Sequence, residues 1–341
     1  MKKLIFSLWI FVSAFALNAQ GDVRGPIAYP APGVLDGVYV KEHIPTKKVI
    51  PYEFVREADV IWSKRVWRII DLREKFNHPL YYPLDKIDID APVGSKWKKN
   101  TTRWSLWTII RYHVMNGDLT IYSPTHPEWI EWNDGDLFKY PFTPDVYGSS
   151  SSGTYHTDAV FKENVKAQGF LGIEDVGIPE AMMSLEYPEE DSLDVNGDVV
   201  YFPPTYSWIQ SEDIVRYKVK EDWFFDKETS KMEVRILGIA PVVYAKDDNG
   251  NITGTKELFW LYFPQCRYVF QNFFVKSRSN DSQSMSFDDL FWKRMFTSYI
   301  EKESNIYDRD IDTYKAGVNA LLESEKIKND IFTFEHDLWS F

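Results

Sequence analysis

Residues 214–242, IVRYKVKEDWFFDKETSKMEVRILGIAPV, decide the predicted fold of this chain. Val215, Tyr217 and Val219 alternate with cationic residues, which is the two-residue period of a strand with one apolar and one charged face. The same alternation returns from Met232 to Ile236. The segment therefore predicts two neighbouring strands.

The strands continue beyond this stretch. The Asn249-Gly250 pair, at the end of 247–250 (DDNG), suits the positive φ angles of a tight hairpin turn. The apolar runs 258–263 and 268–275 then predict strands that are buried on both faces. Together these signals predict an antiparallel β-meander.

Helices are predicted on both sides of the meander. Apolar residues at 3.6-residue spacing predict a first helix over 58–77, and a second is expected over about 102–115, closed by Asn116-Gly117, with a strand at 119–122. Ser286 and Asp289 resemble a capping box that opens a helix through about Lys302. A last helix, beginning at Asp312 or Thr313, carries one apolar stripe: Tyr314, Val318, Leu321 and Leu322.

The predicted fold class is α+β, with the meander packed against N-terminal and C-terminal helices. Prolines and glycines without sustained periodicity predict an extended proline-rich arm over 20–54. The expected organisation is an arm at 20–54, a helix-rich part with short strands at 55–148, a Ser-rich linker and acidic loop region at 149–204, and the meander with the C-terminal helices at 205–341.

Residues 1–19 have the pattern of a secretory signal peptide. Lys2 and Lys3 precede an apolar stretch, and a small residue stands before the expected cut between Ala19 and Gln20. No other segment is apolar over the length of a membrane span, so direct membrane insertion is not expected. The single cysteine, Cys266, excludes an intrachain disulfide and a thiolate zinc cluster, which favours a bacterial periplasm over a eukaryotic secretory route.

Charge is unevenly distributed along the 341 residues, whose net charge is −12. Residues 20–113 carry 16 Lys and Arg against 11 Asp and Glu, whereas residues 114–341 carry 21 against 40. The acidic balance argues against a nucleic-acid binder. A basic end and an acidic end suit head-to-tail self-association or docking between unlike partners, and ordinary solvated surfaces explain them equally well.

The sequence contains no GxSxG elbow, HExxH, P-loop or GxGxxG motif. No catalytic residue, metal or cofactor is therefore predicted. One segment, KWKKNTTRW (96–104), interleaves cations with two indoles. It is interpreted either as a protein-contact surface or as a basic loop that leads into the second helix with Trp104 buried. The candidate contact residues are Lys96, Trp97, Lys98, Lys99, Arg103 and Trp104.

Four long segments in this order (59–83, 215–242, 259–275 and 286–311) resemble the gliding-motility GldN family, also called PorN. The resemblance implies a non-enzymatic subunit of a large periplasmic ring in the type IX secretion system of Bacteroidota. Its implied partners are an outer-membrane lipoprotein of the GldK or PorK type, the motor component GldM or PorM, and further copies of itself. The implied location is the periplasm, at the outer membrane through the lipoprotein.

An alternative from another class stays open at this point. Numerous carboxylates and aromatic residues also suit a secreted carbohydrate-active enzyme or a sugar-binding module, because paired catalytic carboxylates need not be close in sequence. Co-purification with a lipoprotein distinguishes the scaffold from a hydrolase that acts alone.

Overall fold

The computed structural model describes residues 48–87, 97–98, 103–126, 134–142, 172–175, 205–246, 251–277, 280 and 284–337. The strands are β1 (Val60–Asp71), β2 (Lys86–Ile87), β3 (Trp97–Lys98), β4 (Ile121–Tyr122), β5 (Pro141–Phe142), β6 (Gly172–Asp175), β7 (Thr205–Trp208), β8 (Ile214–Asp226), β9 (Lys231–Lys246), β10 (Ile252–Glu257), β11 (Trp260–Tyr262), β12 (Phe274–Lys276), β13 (Ser284–Ser286) and β14 (Tyr299–Glu303). The helices are α1 (His78–Tyr81), α2 (Leu106–Asn116), α3 (Phe263–Phe270), α4 (Phe287–Trp292), α5 (Ile311–Tyr314) and α6 (Val318–Asp337).

An eight-stranded antiparallel sheet organises the fold. Its order is β14-β1-β8-β9-β11-β4-β5, and β10 also pairs with β9. Three two-stranded pairs lie outside it: β2 with β3, β6 with β7, and β12 with β13. The predicted α+β class with an antiparallel meander is confirmed.

The β8–β9 hairpin confirms the two strands predicted from their alternating residues. Asp226 pairs with Lys231, and Tyr217 pairs with Pro241. Tyr217 and Val219 lie in the main core, on the side of the sheet that the helices cover. The predicted charged side is also confirmed, but it is not solvated, because Lys218 and Lys220 are both largely buried in ion pairs.

Strand β1 overturns the helix predicted over 58–77. It lies between β14 and β8, pairing with both, so its backbone hydrogen bonds are satisfied from two sides. Its last six residues, 66–71, are all buried, and a run buried on both faces loses the alternation that identifies a strand. Its β-branched and aromatic residues favour a strand over a helix. The apolar spacing was therefore misleading here.

Helix α2 confirms the predicted second helix. It begins after Ser105, whose hydroxyl accepts a hydrogen bond from the Thr108 backbone N–H. It ends at Gly117, which adopts a left-handed conformation with φ 80°. The predicted neighbouring strand is present as β4. The strand predicted over 268–275 is wrong in its first half, because α3, with Pro264 in its first turn, continues to Phe270. Strand β12 begins only at Phe274.

The capping box at Ser286 and Asp289 is confirmed, but the predicted helix is too long. Helix α4 ends at Trp292, and Arg294 takes a left-handed φ of 53° that turns the chain back toward the sheet. The chain then forms β14 as an edge strand on β1. Asn77 fixes this return, since its side chain both accepts from the Thr297 N–H at 2.8 Å and donates to the Thr297 carbonyl at 3.0 Å.

Helix α6 packs through a face that the sequence did not predict. Its buried residues are Ala320, Ser324, Ile327 and Ile331. Of these, the three apolar ones join Val66 and Ile300 in a second core cluster. The predicted stripe is instead largely exposed, with Val318 at 72%, Leu321 at 55% and Leu322 at 63% exposure. Ile327 and Ile331 fill the space over β1 and β14, so the opposite side of α6 faces outward.

The parts predicted at 55–148 and 205–341 both contribute to one sheet, in which β1, β4 and β5 join β8, β9 and β11. Several predictions lie outside the described residues: the signal peptide, the arm as far as residue 47, the Ser-rich linker at 149–152 and the turn at 247–250. Part of the acidic region is described as β6, which pairs with β7.

Candidate contact surfaces

The predicted basic and aromatic segment is only partly described. Trp97 and Lys98 form β3 and pair with β2, whereas Lys96 and Lys99 lie outside the described residues. Trp104 lies in the core, where its ring stacks on Phe273 with centroids 5.4 Å apart. Trp104 is therefore removed from the candidate contact surface, as the alternative interpretation of the segment expected. Arg103 is half-buried.

A buried polar cluster connects α2 to the residues that immediately precede β8. Ser211 donates a hydrogen bond to the Asp85 carboxylate, and the Arg111 guanidinium donates to the Ile209 carbonyl. Burial lowers the pKa of Arg111 to about 9, although Asp85 opposes the shift. Burial likewise raises the pKa of Asp85, against the effect of Arg111. Both shifts favour the neutral form, so burial outweighs the attraction between the two charges.

A clamp around Tyr52 fastens the segment before β1 to the helical layer. The Tyr52 ring stacks on Trp292 with centroids 5.6 Å apart, and the Arg267 guanidinium lies 4.6 Å from the first ring and 4.7 Å from the second. Arg267 is fixed by Asp288, with its Nε 2.7 Å from Oδ1. Arg235 completes the clamp, 5.2 Å from the Tyr52 ring. These five residues are called the tyrosine clamp.

The tyrosine clamp lines a groove of about 450 Å³. Burial raises the pKa of Tyr52, and the Arg267 charge opposes that rise. The phenol therefore stays protonated at neutral pH, and its ring serves as a neutral surface for two guanidinium groups. No local sequence motif signals this arrangement, because its members come from four separate segments of the chain.

The other side of the sheet carries a charged depression of about 510 Å³. Each of its six carboxylates lies within ion-pair distance of a cation. The pairs are Asp134 with Lys139, Asp136 with Lys220, Asp222 with Arg65, Glu257 with Lys218, and Asp308 and Asp310 with Lys302. Two indoles, those of Trp67 and Trp260, also donate to Asp136 and Glu257.

Two lysines illustrate how the charged depression is held together. Burial lowers the pKa of Lys220, although Asp136 opposes the shift. For Lys218 burial acts in the same direction, but Glu257 and Glu301 outweigh it and raise its pKa. Asp136, Glu257 and Glu301 therefore serve as the partners of these two lysines.

Neither a metal centre nor a membrane span is visible in the described part of the chain. Those residues contain no group of three or more His, Cys, Asp or Glu side chains placed to hold a metal ion. Among the described helices, none has both the length and the apolar character needed to cross a bilayer. Cys266 is buried within α3, and burial raises the pKa of its thiol.

The fold and these surfaces define an α+β protein in which several buried charges are held in ion pairs between its elements. A family model described as "Gliding motility associated protein GldN" matches residues 55–340. The chain belongs to the GldN family. A search of curated proteins finds no significant match.

Proposed function

We propose that the chain is a non-enzymatic structural subunit of a large periplasmic ring. In this proposal the ring assembles with an outer-membrane lipoprotein of the GldK or PorK type and supports type IX protein secretion and gliding motility. The match of residues 55–340 to the GldN family carries the proposal, since the family description names gliding motility. The ring, the secretion system and the partners go beyond that description.

Three further observations support a scaffold. The basic part at 20–113 and the acidic remainder suit contacts between unlike surfaces. The carboxylates of the charged depression are engaged in ion pairs, as expected of structural charges. Large apolar side chains are exposed along α6, and such exposure in a folded protein marks contact sites.

The location belongs to the same proposal. The signal peptide at 1–19 directs export, with cleavage between Ala19 and Gln20. The mature chain then reaches the outer membrane through the lipoprotein, and it contacts a motor component of the GldM or PorM type. Mass spectrometry of the protein from the periplasmic fraction tests the first step, because the proposal requires an N-terminus at Gln20.

The decisive experiment measures mass and shape with and without the partner. The mature chain is purified alone and co-expressed with the lipoprotein encoded in the same genome, and both samples are examined by light scattering and negative-stain imaging. Closed rings or arcs that require the lipoprotein support the proposal. A monomer that ignores the lipoprotein contradicts it, and an activity on polysaccharides in that monomer would favour the carbohydrate-active alternative.

A cellular experiment tests the role in secretion. Deletion of the gene should stop colony spreading and leave type IX cargo inside the cell. A control protein that needs only export across the inner membrane should still reach the periplasm. Complementation with the full chain restores both functions. Normal cargo secretion in the deletion strain contradicts the proposed role, whatever the shape of the purified protein.

A further inference from the structure

Helix α6 has two apolar faces, and only one of them packs on the protein. Ala320, Ile327 and Ile331 on the inner face are between 5% and 8% exposed. The inner face is fixed further by Ser324, whose hydroxyl accepts from the Ile300 N–H at 2.7 Å. Near the end of the helix, Phe334 stacks on Trp62 with centroids 4.6 Å apart. The helix is therefore firmly mounted on the sheet.

The opposite side, called the outer face of α6, also carries large apolar side chains. It consists of Val318, Leu321, Leu322 and Phe332, which are between 55% and 72% exposed. At about 3.6 residues per turn these four residues fall on one side of the helix. A helix fixed on one apolar face that shows a second apolar face to solvent has the pattern of a helix with a second partner.

The charges on this face indicate what the partner is. Glu325 lies in the middle of the stripe and Lys328 lies at its edge, and their side chains approach to 3.2 Å within the same helix. Both are more than half exposed. Glu325 lies four residues after Leu321, and Lys328 lies four residues before Phe332. With one acidic and one basic residue in these positions, the face can complement the same face of a second copy of the chain.

We propose that the outer face of α6 pairs antiparallel with the outer face of α6 in a second copy of this chain. In an antiparallel pair, residue numbers increase along one helix in the direction in which they decrease along the other. The alignment that places Leu321 opposite Phe332 of the second copy therefore also places Glu325 opposite its Lys328. The two contacts recur by symmetry, so one register gives two apolar contacts and two ion pairs.

This contact is two-fold symmetric, so it joins copies in pairs and does not by itself close a ring. It stands apart from the proposed function: a dimer that forms no ring with the lipoprotein would contradict the ring while leaving the helix pairing intact. Conversely, rings built from subunits that never pair through α6 would leave the proposed function intact and remove this inference.

The test measures the mass of the mature full-length chain by sedimentation velocity from low to high micromolar concentration. We expect Leu321→Glu to weaken the dimer by at least about a hundredfold, because each dimer would bury two carboxylates in place of two apolar contacts. The matched control is Ile252→Glu on β10, since Ile252 is 59% exposed and lies outside the helix. It should leave dimerisation unchanged.

Charge exchange tests the register. Glu325→Lys alone places two cations opposite each other twice per dimer and should weaken it about tenfold. The double variant Glu325→Lys/Lys328→Glu restores opposite charges and should bring dimerisation back to within about threefold of the original. Circular dichroism and thermal unfolding of each variant verify that the monomer fold is kept.

Several outcomes overturn the proposal. A chain that stays monomeric at every concentration excludes the pairing, and so does an unchanged dimer in Leu321→Glu. A dimer that Leu321→Glu abolishes but that the charge exchange fails to restore excludes this register. If the chain is monomeric and Leu321→Glu weakens binding to the lipoprotein instead, the outer face belongs to that partner and not to a second copy.

Discussion

At Arg267 a single guanidinium joins the arm, the helical layer and a buried carboxylate. It is 3% exposed, it binds Asp288 through two hydrogen bonds, and it lies beside the stacked pair of rings, 4.6 Å from Tyr52 and 4.7 Å from Trp292. A lysine offers neither the bidentate fork nor the planar stacking surface. The position therefore requires arginine on geometric grounds as well as for its charge.

Asp288→Asn tests this arrangement. The change leaves the Arg267 charge buried without its counter-charge, so we expect the free energy of unfolding to fall by about 3 kcal/mol. Urea unfolding monitored by tryptophan fluorescence measures it. Arg56→Gln is the control, because the Arg56–Asp59 pair has an arginine that is 65% exposed, and it should leave the unfolding midpoint unchanged. Equal effects of both variants would contradict the role of the buried pair.

Asp71 gives the chain a pH dependence of known sign. The Arg73 side chain, which hydrogen-bonds to the carboxylate, lowers the pKa of Asp71, and burial opposes the shift less strongly. Because the folded-state pKa lies below the unfolded value of about 3.9, the stabilisation is complete above that pH. It is lost as the pH falls through the folded-state value.

We therefore expect Asp71→Asn to be less stable than the original chain at pH 7 and to approach it in stability as the pH falls below about 4. Urea midpoints between neutral and strongly acidic pH measure the difference. Asp330→Asn, at an exposed position on α6, serves as the control and should follow the original curve throughout. A gap that is constant with pH would mean that Asp71 stabilises the fold by packing and not by its charge.

At the scale of single elements, the start of α4 depends on a capping box. The Ser286 hydroxyl accepts from the Asp289 N–H at 3.1 Å, and the Asp289 carboxylate accepts from the Ser286 N–H at 3.1 Å. Helix α4 has only six residues, so the two hydrogen bonds of the capping box satisfy a large share of the free backbone N–H groups at its N-terminus. Its position matters because it supplies Asp288 and Trp292 to the tyrosine clamp.

Ser286→Ala should lower the free energy of unfolding by about 1 kcal/mol, because the backbone N–H of Asp289 loses its acceptor. Ser286→Gly is the informative comparison, because glycine at the N-cap position of a helix lowers the stability by only a few tenths of a kcal/mol relative to serine. Thermal unfolding of the three proteins gives the order. If the glycine variant is as unstable as the alanine variant, packing of the buried serine matters more than its cap.

The elements also show which signals in the sequence were informative. The alternation in β8 and β9, the Asn116-Gly117 end of α2 and the capping box that opens α4 are local patterns, and each predicted the feature that the structure shows. Strand β1 failed because burial on both faces hides the strand period, and its hydrogen bonds come from β8 and β14, which are distant in sequence.

The same distinction applies to the candidate surfaces. Trp104 looked like part of a contact loop because of its cationic neighbours, yet its ring fills a core gap beside Phe273. The sequence did not reveal the tyrosine clamp, because Tyr52, Arg235, Arg267 and Asp288 belong to separate segments that come together only in the folded chain. For α6, both sides of the helix are apolar, so spacing alone could not say which side packs.

At the scale of the whole molecule, Tyr52 anchors the segment before β1 to the folded body. Tyr52 lies in the tyrosine clamp, whereas Phe54, two residues later, is 90% exposed. The clamp draws on β9, α3 and α4, so it links the beginning of the described chain to the sheet and to the helical layer together.

Tyr52→Ala should therefore lower the free energy of unfolding by about 2 kcal/mol, since it removes a partly buried ring together with its stacking and cation–π contacts. Phe54→Ala is the matched control: it removes an aromatic ring from the same segment but at an exposed position, and it should leave stability unchanged. Urea unfolding of the mature chain measures both. Limited proteolysis adds a second readout, because release of the clamp should make the chain around residues 48–56 easier to cleave in Tyr52→Ala and not in Phe54→Ala. Equal stability and equal cleavage in the two variants would mean that the segment is held elsewhere. A loss of lipoprotein binding in Tyr52→Ala at unchanged stability would instead assign this segment directly to the contact with the partner.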